Sequence, residues 1–235
     1  MRYTLILTLL CLSLSANAQG PADMTFYKGL EHYEQGDFKK AQFLFKKACK
    51  LNKRKAKHHY YLGLSHYQQE QDQEAIKAFN TCISLSPEHT EAWYFKGRCL
   101  QAQKQYAEAL QCFETTIALQ PNEASNYHQK GLTNSLMQQH NAAIVDFDQA
   151  ILLNAKKALY YSNRANSLKA LGETTAALND YNQAINLEPD NGRYYAQRRN
   201  FKMELENPNG GCEDLKKAKQ LGYQSEDLNS QPCVL

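Results

Sequence analysis

The chain is nearly devoid of valine: Val145 and Val234 are the only two in 235 residues. Strand signals are correspondingly poor, which argues against sheet architectures. Charge of one sign is also lacking, and a formal net charge of +3 does not make nucleic acid the expected partner. The body of the chain has no apolar run long enough to span a bilayer. Apart from the Gly210-Gly211 pair its glycines sit singly, so no glycine-rich loop of the kind that cradles a phosphate is present. With 43% hydrophobic and 22% charged residues, the composition is that of a folded chain rather than a disordered one.

The first residues are set apart. Arg2 is a short positive flank, residues 3–15 form an apolar run, and Ala16-Asn17-Ala18 is a small-x-small cleavage signal. This pattern predicts a signal peptide over residues 1–18, cleavage near Ala18, and an exported chain in the periplasm or outside the cell. Leu10 is too bulky to precede a lipidated Cys11. Six cysteines remain, Cys49, Cys82, Cys99, Cys112, Cys212 and Cys233. They are too few for a disulfide framework in a chain of this length.

What is present is a period. Ala75, Ala109 and Ala143 lie 34 residues apart, and so do Phe79, Phe113 and Phe147. Apolar residues recur at helical spacing before and after each Gly63, Gly97 and Gly131. A fixed period with no insertion marks stacked helical hairpins, hence an all-α solenoid of six units. The units are residues 22–55, 56–89, 90–123, 124–157, 158–191 and 192–225, followed by a tail over 226–235. One column reads Gly29, Gly63, Gly97, Gly131, Ala165, Arg199, and another Phe45, Phe79, Phe113, Phe147, Tyr181, Leu215. Small residues let two helices approach, and the aromatic one turn on fills the space between hairpins.

The units resemble the tetratricopeptide repeat (TPR), whose pattern is met most fully at Trp93, Gly97, Tyr106, Ala109, Phe113 and Pro121. The first and sixth units depart from it, with Thr25 at the aromatic place and Arg199 at the glycine place. The resemblance implies a right-handed superhelix whose first helices line a concave groove. It also implies a non-catalytic scaffold that takes a partner protein or peptide there, with no cofactor. The groove residues would be Phe26, Leu30, Tyr33, Tyr60, Leu64, Tyr67, Tyr94 and Arg98 in the first three units. In the last three they would be His128, Ser162, Asn166, Lys169, Arg193 and Asn200. Tyrosines offer apolar area with a hydrogen-bonding tip, as recognition surfaces often do. Lys169, Arg193 and Asn200 suit a weak anionic subsite.

The heat-shock chaperone clamp of the family needs a lysine and an asparagine where this chain has Phe26 and Leu30, so that activity does not carry over. A structural, weakly self-associating array is the alternative function. An unrecognised enzyme or carrier comes third. The final segment resembles the closing repeat of exported bacterial TPR proteins, and this implies a Cys212–Cys233 disulfide.

Other clusters read as structure. His59 and His66 are two turns apart, roughly 10 Å, too far to share a metal ion, and His59 occupies the repeat's aromatic packing place. Cys99 and Cys112 have no activating histidine in register. The run from Lys46 to Lys57 reads as a solvated turn, or as a surface for an acidic protein or anionic lipid.

Overall fold

The computed structural model describes residues 20–224. The expected signal peptide, the tail over 226–235 and Cys233 lie outside the described residues. Two compact units divide the chain at Leu119 and Gln120. The first holds α1 (Pro21–Glu34), α2 (Phe38–Leu51), α3 (Ala56–Tyr67), α4 (Asp72–Leu85), α5 (Thr90–Ala102) and α6 (Tyr106–Leu119). The second holds α7 (Ala124–Leu136), α8 (His140–Leu153), α9 (Ala158–Ala170), α10 (Thr174–Leu187), α11 (Gly192–Glu204) and α12 (Pro208–Gln220). Consecutive helices pair as hairpins, three per unit, and within each unit neighbouring hairpins pack on one another. The six hairpins match the count expected from the period. No strand occurs among the described residues.

The first four hairpins are closed by a glycine on one helix and an aromatic ring on the other. A Cβ on Gly63 would lie 2.5 Å from the ring of Phe79, and one on Gly97 would lie 2.8 Å from that of Phe113. Both rings are fully buried. The glycine is required because an aromatic ring already occupies the volume a methyl group would take. The fifth hairpin solves the contact differently. It carries Ala165 against Tyr181, whose hydroxyl donates to Asn166 Oδ1 at 2.6 Å.

The turn within each hairpin has a constraint that the composition hides. The first helix ends in a 6→1 backbone bond, Asp37 N–H to His32 O in the first hairpin and Gln105 N–H to Leu100 O in the third. Such an ending needs one left-handed residue. That residue falls on a single column: Gly36, Glu70, Lys104, Gln138, Gly172 and Glu206, with φ between 56° and 77°. Only two of the six are glycine.

A left-handed residue with a Cβ carries about 1–2 kcal/mol of strain, while glycine adds about 0.5–1 kcal/mol of unfolded-state freedom. Lys104→Gly should therefore stabilise by about 0.5 kcal/mol, the difference between those two effects. Gln103→Gly, one residue earlier with φ −80°, should destabilise instead. The urea midpoint of each variant checks both signs.

Candidate interaction surface

In the first unit, the period brings Tyr33 and Tyr67, Tyr60 and Tyr94, and Leu30, Leu64 and Arg98 to matching places on α1, α3 and α5. Spacings of four and seven residues keep them on one face of each helix. Tyr33, Tyr60, Tyr67, Tyr94, Leu30 and Arg98 are half-buried. The Arg98 guanidinium lies over the Tyr67 ring at 5.4 Å, and Gln68 Nε2 donates to the Tyr33 hydroxyl at 3.3 Å. Tyr60 rests on His89, Phe79 and Phe95, and Tyr94 on Phe95 and Phe113. Burial raises the phenol pKa of Tyr60 and Tyr67, and the Arg98 charge partly opposes this at Tyr67. Tyr33, Tyr60, Tyr67 and Tyr94 are anchored on one side and open at the edge.

Four residues expected at an open groove are instead closed off: Phe26 is 2% exposed, Leu64 7%, His128 6% and Ser162 1%. The reason lies two places earlier in the following repeat. There His58 stacks on Phe26 at 4.8 Å and Tyr160 covers His128 at 4.9 Å. His128 is further tied to Asn163 Nδ2 at 2.7 Å. The matching residue after Tyr60 is Ala92, which is too small to cover that ring. Leu64 belongs to the core that joins the second and third hairpins.

In the second unit Asn166 and Arg193 are exposed and Ser162 is buried, its hydroxyl donating to Gln197 at 2.8 Å. Lys169 pairs with Glu204 at 2.5 Å, and Asn200 accepts from Arg199 at 2.9 Å. The charge meant for an anionic subsite at Lys169 is therefore already balanced.

The histidine assignment changes as well. His58, not His59, is the packed ring, at 0% exposure and 3.2 Å from Asp23. His59 is half-buried, and its Nε2 bonds the Lys53 carbonyl at 3.0 Å. Trp93 Nε1 does the same to the Pro87 carbonyl, also six residues back, at 2.8 Å. The aromatic place of the repeat thus fastens the preceding turn.

Burial depresses the His58 pKa below its ordinary value of 6.5, and Asp23 only partly offsets this. The neutral ring is thus the folded form. Its stabilisation is present above pH 6.5 and is lost as pH falls through the depressed value. His58→Asn, which copies the buried Asn126 of the fourth hairpin, should flatten the acid side of a stability-versus-pH curve. Denaturant melts between pH 7.5 and 5 check it.

A polar ladder in the second unit went unnoticed in the sequence. Arg164 binds Asp180 through two bonds of 2.7 Å and reaches Asp148 of the preceding hairpin at 2.6 Å. Arg198 repeats this with Asp214, at 2.9 and 2.6 Å, and with Asn182. Lys130 pairs with Asp146 at 3.3 Å, and Asn134 donates to the same carboxylate at 2.7 Å. The signal was there: Lys130, Arg164 and Arg198 lie 34 apart, and so do Asp146, Asp180 and Asp214. The first unit has Leu62 with Ala78, and Lys96 with Cys112, at the same places.

The thiols of Cys49, Cys82, Cys99 and Cys112 are free and buried. Burial pushes Cys49 and Cys112 up to about 11 and Cys82 to about 12, with Cys99 raised further. They are protonated at neutral pH, unlike an activated nucleophile. Among the described residues no histidine, cysteine or carboxylate cluster is placed to hold a metal ion. None of the described helices is long and apolar enough to cross a membrane.

Residues 124–157 and 158–191 each match a tetratricopeptide repeat family model. Residues 8–82 and 34–116 match the model of anaphase-promoting complex, cyclosome, subunit 3. No curated protein matches the sequence significantly. Among solved structures, MamA 41-end from Desulfovibrio magneticus RS-1 aligns with a TM-score of 0.70 at 23% identity, covering 73% of this chain and 98% of that one. Pseudomonas aeruginosa pilF aligns at 0.71 and 19% identity, over 85% and 91%. YrrB, described as a TPR protein with an unusual peptide-binding site, aligns at 0.60 and 19%, over 75% and 91%. At these identities the likeness is one of fold.

Proposed function

We propose, starting from a chain built of tetratricopeptide repeats, that it is a non-catalytic scaffold. It takes a partner protein or peptide on the tyrosine-bearing face of α1, α3 and α5. The observation that carries this reading is Tyr33, Tyr60, Tyr67 and Tyr94, anchored on one side and open at the edge, with Arg98 laid over Tyr67. Rigid aromatic rings with polar tips and a planar cation are the side chains that dominate binding energy at interfaces. Exposed apolar area of this kind on a folded surface marks an interaction site. A peptide-binding site in YrrB, of similar fold, makes an extended peptide the natural occupant.

A photo-crosslinking residue at Tyr67 should capture the partner in cells, while one at the exposed Glu114 should not. With that partner in hand, Tyr67→Ala combined with Arg98→Ala should weaken binding by about 2–4 kcal/mol and leave helical circular dichroism unchanged. Equal capture at both positions, or unchanged affinity, would exclude this face.

The proposal includes export, with removal of residues 1–18, and closure of the last hairpin by a Cys212–Cys233 disulfide. N-terminal sequencing of the exported chain and peptide mapping without reduction test these two points. An uncleaved N-terminus, or alkylation of both thiols without prior reduction, would refute them in turn.

A further inference from the structure

We propose that the outer face of α2 and the turn after it dock on an anionic phospholipid bilayer. The proposal is independent of the tyrosine face. On α2 the residues Ala41, Phe45, Ala48 and Cys49 are buried. At 100° per residue, Lys39, Lys40, Phe43, Lys46, Lys47, Lys50 and Leu51 fall within an arc of about 140° on the opposite side. All seven are exposed, with Phe43 at 69% and Leu51 at 52%. The turn adds exposed Lys53, Arg54 and Lys55.

No carboxylate interrupts residues 46–57. Lys40 is paired with Asp37 and Lys57 lies over the Phe26 ring. Lys46, Lys47, Lys50, Lys53, Arg54 and Lys55 make no ion pair with a described carboxylate. A helix C-terminus favours one cation in its last turn, which accounts for Lys50 but not for the other five.

Six unpaired cations gathered on one surface repel one another until an anionic partner balances them. The two apolar side chains decide which partner. Phe43 and Leu51 stand among lysines on one convex helix face, the pattern of a helix lying at a bilayer interface. There the rings and methyls enter below the headgroups while ammonium groups meet the phosphates. A bilayer needs no matched geometry, because its headgroups move laterally to each cation. An acidic protein would need carboxylates set around two apolar sockets.

The test is co-sedimentation of the full chain with vesicles of phosphatidylcholine carrying about 30 mol% phosphatidylglycerol, or none. Binding should require the anionic lipid and fall steeply between about 50 and 300 mM salt, as the Debye length shrinks. K46E/K47E/K50E should lower the partition coefficient at least about tenfold, and Phe43→Ser about threefold. Circular dichroism of each variant should match that of the parent. Residues 1–19 are the same in all of them, whether retained or removed, so the differences between variants report α2. Equal binding to neutral and anionic vesicles, or unchanged partition of the charge-reversed variant, overturns the proposal. So does retention of the parent chain on polyglutamate but not on vesicles, which would assign the face to an acidic protein.

Discussion

Arg164→Met is expected to destabilise the second unit by about 3–5 kcal/mol, because it strands a buried carboxylate. Asp180 has 8% of its side chain exposed and accepts both guanidinium bonds, each at 2.7 Å. Removing the cation also frees Asp148 of the neighbouring hairpin from its 2.6 Å contact. Methionine keeps the unbranched stem of arginine as far as Nε, so the loss reads chiefly the guanidinium charge and its hydrogen bonds. The diagnostic companion is Arg164→Met with Asp180→Leu. Replacing both partners removes the stranded charge and should return most of the stability. Urea unfolding of the three proteins decides it. If the double variant is as unstable as the single one, the ladder acts through shape and not through charge.

Phe79→Ala should cost the first unit about 3–5 kcal/mol, the usual range for emptying a fully buried aromatic site. Phe79 is 0% exposed and fills the space that Gly63 leaves. The reverse error, Gly63→Ala, places a methyl 2.5 Å from the same ring and should cost about 1–3 kcal/mol by overpacking. The two sites share one volume, so their effects are not additive. Gly63→Ala combined with Phe79→Leu should be less unstable than the sum of its parts. Simple additivity in denaturant melts would show that the glycine is kept for another reason.

Much of the fold is legible in the residues because each hairpin repeats one contact. The Gly63–Phe79 and Gly97–Phe113 pairs can be read from two columns 16 residues apart. The interaction surface is harder to read. Phe26, Tyr60 and His128 share a column, yet exposure is decided by a different column in the next repeat: His58 and Tyr160 cover their neighbours, while Ala92 leaves Tyr60 open. A helix-face argument sees the element and not what lands on it. The Arg164 ladder was missed for another reason. Charged residues are read as solvent-facing by default, and only a partner at the same period on the facing helix shows that the carboxylate is buried beneath its half-buried cation. The left-handed column escaped because Glu70, Lys104, Gln138 and Glu206 stand where a turn reading expects glycine.

The placement of four thiols gives the molecule an internal reporter. Cys49, Cys82, Cys99 and Cys112, the free cysteines among the described residues, all lie in the first unit. The single tryptophan of the chain, Trp93, lies there too, with its indole N–H fixed to the Pro87 carbonyl. Shielded thiols react with a labelling reagent only during moments when the surrounding helices separate. Tryptophan emission therefore clocks the opening of residues 20–119, and so do labelling rates where Cys212 and Cys233 are joined as proposed.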